Sequence, residues 1–250
     1  MCLSSKVKTL RDELLENCQY AIDRLGEANN RVYASSNQED APTGSTTPNK
    51  PAEETTTDPY GTKKSENDIS YRIVGDREIM DSFMILTHGV LIQEWELFLY
   101  DIFAEGVIHY LSLGDPKFQL RVKELNPTIE TVDMRKHISD EIKKTIRRHK
   151  EIFEKSRSLF KIEEPELLKE MQKQVQIRHI FQHNRGKIRK QDIEAIEKQS
   201  FEIFDDENTL KSYGEGEKIL LSQPEIQKLS DTIKKYSEAF QIKADETQSG

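Results

Sequence analysis

The chain has 250 residues, 35% hydrophobic and 33% charged, with a formal net charge of −8. That acidic balance argues against indiscriminate nucleic-acid binding over the whole surface, but leaves room for a local basic site. Cys2 and Cys18 form neither a disulfide framework nor a zinc signature, so a reducing, cytoplasmic setting is expected.

Residues 5 to 29 place Val7, Leu10, Leu14, Cys18, Ala21, Leu25 and Ala28 at helical spacing, one buried stripe. No secretory pattern precedes them, and an amphipathic N-terminal helix over 1–33 is expected, laid against the core or a partner helix. Residues 34–70 are nearly devoid of apolar side chains and carry Pro42, Pro48, Pro51 and Pro59. Such composition does not repay its ordering entropy, so a disordered, low-complexity linker is expected there.

A helical domain over 71–242 follows. From Asp76 to Leu113 the chain is apolar on nearly every side, through Ile79, Phe83, Leu86, Val90, Leu91, Trp95, Phe98, Leu99, Ile102, Phe103 and Val107. A helix of this kind is central and covered by neighbours, or shared with another subunit. Glu94, Glu96, Asp101 and Glu105 interrupt it too often for a membrane span. After the Gly114 stop, Asp115-Pro116 is a helix-start signal.

Ile138, Ile142 and Ile146, then Ile152, Phe153 and Phe160, read as one amphipathic helix. Its polar face carries nine cations between Arg135 and Arg157, including Lys143 and Arg147, against four acids. A solvated face is the plain reading of such a run, and a nucleic-acid-facing surface the sharper one. Glu164-Pro165 opens the next helix, with Leu168, Met171 and Val175 inward. Further on, "YGEGEKILLS" reads as a turn and a short extended piece, which allows one short β-hairpin. Ser222 and Glu225 around Pro224 make a capping-box pattern for a last helix bearing Ile226, Leu229, Ile233, Tyr236 and Phe240. Residues 243–250 are expected to be a flexible tail. The fold class is therefore all-α.

The stretch "RHIFQHNRG", residues 178 to 186, ends the helix that Pro165 begins. Gly186 sits where a left-handed residue commonly stops a helix, which puts His183 in the last turn, and His179 four residues earlier on the same face. Arg178 offers a permanently charged fork of donors suited to phosphate oxygens. An imidazole that moves protons beside a guanidinium that stabilises charge on phosphorus is sufficient for metal-free phosphodiester cleavage. RNA brings its own nucleophile, the 2′-hydroxyl. No phosphate-cradling glycine loop or distinctive carboxylate pair appears, and no cofactor is implied. Zinc on His179 and His183 would lack a third ligand placed by sequence.

The same nine residues resemble the signature of HEPN domains, small helical bundles named for higher eukaryotes and prokaryotes nucleotide binding. Their mark is an arginine, four to six residues and a histidine, with asparagine, aspartate or histidine favoured right after the arginine. Arg178, His179 and His183 match those slots. The order of elements over 76–241 is also similar: a long aromatic-bearing first helix, a middle helix, the motif helix, and a last helix after an irregular stretch. The resemblance implies a HEPN-like bundle and a metal-independent endoribonuclease, in a toxin–antitoxin or phage-defence setting. Its cleft would form between two copies across a homodimer, through the motif helix and the 76–113 helix.

By that resemblance Arg178 would contact the scissile phosphate, His183 would be the acid/base, and His179 would orient or assist. Arg185, Lys187 and Asn184 beside the motif, with Arg147 and Lys143 on the basic helix, are the expected RNA contacts. Arg185 stands where HEPN toxins silenced by a nucleotidyltransferase antitoxin carry a tyrosine, which weighs against that form of control. Two other readings remain open at this level. One is a non-catalytic helical dimer that binds RNA, nucleotide or protein. The other is a plain scaffold in which Arg178 pairs with an acid such as Glu94 or Asp101.

Overall fold

A computed structural model describes residues 2–37, 66–112, 131–146 and 149–249. Among these the chain is an all-α bundle with one two-stranded hairpin. The elements run α1 (Leu3–Asn37), α2 (Glu66–Ser112), α3 (Thr131–Thr145), α4 (His149–Phe160), α5 (Pro165–Asn184), α6 (Lys190–Ala195), β1 (Phe201–Phe204), β2 (Leu210–Tyr213) and α7 (Gln223–Ser249). No helix among the described residues is long and apolar enough to cross a membrane.

The long α2 is the axis: α1, α3, α4, α5 and α7 all pack against it. Trp95 is fully buried at its middle, with Phe98, Phe153, Tyr236 and Phe240 around the indole at centroid distances of 5.4 to 6.3 Å. Aromatic side chains bury the most apolar area per residue, so this cluster anchors three helices at one point. α1 adds Leu3, Val7, Leu14, Cys18 and Leu25 to the same core, as its stripe predicts.

Several boundaries differ from the sequence reading. α1 continues to Asn37 and α2 begins at Glu66, so both ends of the expected linker are helical, and 38–65 lie outside the described residues. The Asp115-Pro116 start signal also lies outside them. The single basic helix expected over 138–160 is two helices. Its apolar stripe steps by four as far as Ile146 and then by six to Ile152, which rotates the buried face. At the break the Tyr100 hydroxyl donates to the Ile146 carbonyl at 2.7 Å. The tail expected from 243 is instead the end of α7: Ala244 is buried, Gln241 Nε2 donates to Asp245 at 2.8 Å, and the Ser4 hydroxyl donates to Asp245. Closing against α1 gives those turns partners that a frayed end lacks.

The hairpin also forms upstream of where the extended piece was expected. β1 and β2 pair antiparallel with Phe201 opposite Tyr213 and Phe204 opposite Leu210. Asp205 holds the turn by accepting from the backbone N–H groups of Glu207 and Thr209. Ser222 caps α7 by accepting from the Glu225 N–H at 3.2 Å. The Glu225 carboxylate, however, does not close a capping box. It lies fully buried, accepting from Lys173 at 2.8 Å, Gln174 at 2.5 Å and the Phe204 N–H at 3.0 Å. This buried polar knot ties α5, β1 and α7 together. Gln174 joins it to α2, accepting from His88 Nε2 at 2.9 Å while its own amide N–H groups go to Glu225 and Glu170.

Candidate functional site at the end of α5

Pro165 at the first position pre-sets the dihedral for α5, and the buried row Met171, Gln174, Ile177 and Ile180 seats it against the bundle. The helix ends on two consecutive left-handed residues, Arg185 (φ 52°) and then Gly186 (φ 83°). Arg185, rather than Gly186, is the first of them, and its N–H bonds back to the Ile180 carbonyl. The Gly186 N–H reaches the same carbonyl at 3.2 Å. At Gly186, besides its positive φ, a Cβ would lie 2.9 Å from Phe181 Cε1, so that ring would have to shift to admit any other residue. Beyond the turn, Ile188 N–H donates to Glu217 and Ile219 N–H to Gly186, which clamps the exit strand to the segment after β2.

The last turns of α5 carry the motif. His179 is half-buried and His183 exposed, with ring centroids 4.5 Å apart. Their i,i+4 spacing accounts for the pairing. Arg178 lies five residues before His183, about 140° round the helix, and so turns toward α2 instead. There its Nη1 is 3.5 Å from Glu96 Oε2. Its Nε is buried without a hydrogen-bond partner. His149, at the start of α4, brings Nδ1 to 3.9 Å from the same Glu96 oxygen. The imidazole of His149 first, and Arg178 after it, hold the Glu96 carboxyl below the usual carboxylate range despite partial burial.

Neither Glu94 nor Asp101 meets Arg178. Glu94 accepts from Asn17 at 2.8 Å, and Asp101 pairs with Lys143 at 3.3 Å. Glu96 and His149 are thus members of the site that spacing in the sequence does not single out. The only available signal is a weak one, that Glu96 interrupts an apolar helix.

The expected RNA contacts divide. Arg185 and Lys187 are exposed next to His183. Asn184 is half-buried and donates to Asp192 at 3.3 Å, so its amide braces the turn. Asp192 also accepts from Gln176 at 2.9 Å and from the Arg189 backbone N–H at 2.8 Å. Burial opposes its charge, but the Arg189 contacts prevail and lower its pKa. Lys143 stands on α3, paired with Asp101, five residues or about 7.5 Å along α2 from Glu96. Arg147 lies outside the described residues.

Among the described residues no group of three or more His, Cys, Asp or Glu side chains is placed to hold a metal ion. Cys18 is buried, and burial with Glu94 nearby pushes its thiol up to about 12, so it is no nucleophile at neutral pH. Comparison of the chain with protein-family models, with curated proteins and with solved structures finds no match in any of the three.

Proposed function

We propose that the chain is a metal-independent endoribonuclease of HEPN type, working at the C-terminal end of α5. The observation that carries this reading is the pair of imidazoles, His179 and His183, 4.5 Å apart at a helix end flanked by exposed Arg185 and Lys187. Histidine is the side chain that both takes and gives protons near neutral pH. The RNA 2′-oxygen attacks phosphorus while His183 accepts its proton. The P–O5′ bond breaks, and the leaving 5′-oxygen takes a proton from the second imidazole or from water. The products are a 2′,3′-cyclic phosphate and a 5′-hydroxyl. Arg178, about 140° round the helix and paired with Glu96, stabilises negative charge on the phosphoryl oxygens once it leaves that carboxylate. The toxin or phage-defence setting belongs to the same proposal.

A second copy completes it. On α2, exposed Ile79, Phe83 and Leu86, with half-buried Val90 four residues further on, follow the four-three spacing of a helix-pairing seam, and Leu86 is 63% exposed. An exposed row of this size on a soluble chain supports self-association through α2.

One observation favours a second reading. Arg178 already has a carboxylate partner in Glu96. If that ion pair persists when RNA is bound, the module binds RNA without cutting it.

The experiment is cleavage of a mixed RNA pool in EDTA by wild type, His183→Ala and Arg178→Ala. The expected result is 2′,3′-cyclic phosphate ends from wild type, reduced by 100-fold or more, on the order of a lost acid/base, in His183→Ala. Binding without cyclic ends in any sample favours the second reading. Equal cleavage by all three proteins overturns the first.

A further inference from the structure

Beside the motif, between α4 and α5 and next to α6, lies a pocket of about 290 Å³. Phe153, Met171 and Val175 give it an apolar floor, and Ala195 of α6 stands at its margin. The rim is polar: His149, Lys150, Glu154, Gln172 and Gln176. His149 and Phe153, four residues apart on α4, stack within 14° of parallel at a centroid distance of 6.3 Å, so the α4 side of the pocket is aromatic. Nothing in the reaction proposed above uses this space.

Its chemistry restricts the ligand. The volume stands at the lower end of the range for small-molecule pockets, about 300–1,000 Å³, enough for one ring system with a small substituent. The rim cation Lys150 is offset by Glu154, 3.9 Å away, so the pocket has no uncompensated charge with which to hold an anion. Above the apolar floor, the Gln172 amide and the amide oxygen of Gln176, whose Nε2 donates to Asp192 at 2.9 Å, suit a neutral, planar heterocycle with donor and acceptor groups along one edge.

Position supplies the rest. His149 is both a wall of the pocket and the second neighbour of Glu96, whose first is Arg178. The pocket therefore adjoins the groups proposed to hold a phosphate, while offering no phosphate site of its own. Single-stranded RNA is recognised in this manner, with a splayed base stacked on aromatic or imidazole rings and read along its edge while its phosphate is held next door.

We propose that the α4–α5 pocket accepts a single unpaired nucleobase, and so selects which nucleotide is presented beside Arg178. This inference rests on RNA being the ligand of the α5 site, but its test does not need cleavage. Adenosine, guanosine, cytidine and uridine, none bearing a phosphate, are titrated into the full-length chain by calorimetry. The expected result is binding of at least one of the four with a Kd of about 0.1–1 mM, typical for so small a ligand, and at least fivefold weaker binding of another. Val175→Trp fills the floor, and Ala195→Trp, on an exposed position of α6, covers the margin. Each is expected to weaken that binding at least tenfold, with thermal unfolding confirming that the variant is folded.

Wild type binding none of the four nucleosides at several times that concentration overturns the proposal. So does wild-type affinity in a folded Ala195→Trp. Nucleoside binding without RNA cleavage leaves the pocket standing while the nuclease reading fails. Cleavage without nucleoside binding does the reverse.

Discussion

Replacing Glu225 with alanine should destabilise the fold more than any single change at the motif. Its carboxylate is fully buried and takes the Lys173 ammonium at 2.8 Å, the Gln174 amide and the Phe204 N–H. Burial opposes the Lys173 charge, yet Glu225 and Glu170 beside it keep its pKa above the ordinary lysine value. Removing one partner of such a pair leaves a buried charge uncompensated, at about 3–5 kcal/mol. In Glu225→Ala the Phe204 N–H also loses its acceptor, while Lys173 keeps Glu170 at 2.9 Å, so about 3–4 kcal/mol is the reasoned loss. At about 2–4 °C per kcal/mol for a chain of this size, Tm falls by roughly 6–16 °C, measured by circular dichroism. A companion, Lys173→Met with Glu225→Leu, should recover at least half of the loss, because both charges then leave together. A loss below about 1 kcal/mol in Glu225→Ala, or a double variant worse than the single, would refute the claim that this knot is desolvated and held by its charges.

Three further outcomes are expected. Burial lowers the His88 pKa to about 4, with Gln174 and Glu225 acting against the shift and Arg178 and Lys173 for it. The folded state therefore keeps His88 neutral, and its stabilisation is complete above about pH 6.5 and is lost as pH falls toward 4. Urea unfolding at pH 7 and pH 5 should show wild type losing about 2 kcal/mol more than His88→Gln, and equal losses would contradict this. Leu86→Glu, on the exposed α2 row, should convert a micromolar dimer into a monomer by light scattering with little change in Tm; a wild type already monomeric removes the dimer. At pH 8, iodoacetamide should label exposed Cys2 on the native chain and spare Cys18, whose thiol stays protonated, with both labelled only after unfolding.

Much of the fold was readable because its signals are local. The stripe from Val7 to Leu25, Pro165 at the head of α5, and Ser222 at the head of α7 each act within a turn or two of chain. So does the proximity of His179 and His183, which is fixed by helical pitch. Other features needed elements far apart in sequence. The continuation of α7 to Ser249 is supported by Ser4 of α1, which no periodicity connects to it. The partner of Arg178 is the clearest case. α2 is apolar on nearly every side, so its sequence carries no phase that says which acid faces α5. Burial of Trp95 against Phe153, Tyr236 and Phe240 sets that rotation, and with it Glu96 meets Arg178 and His149 while Glu94 goes to α1 and Asp101 to α3. Helical pitch alone places the two imidazoles side by side, but only the packing of five helices on α2 gives the guanidinium its carboxylate and opens a pocket next to it.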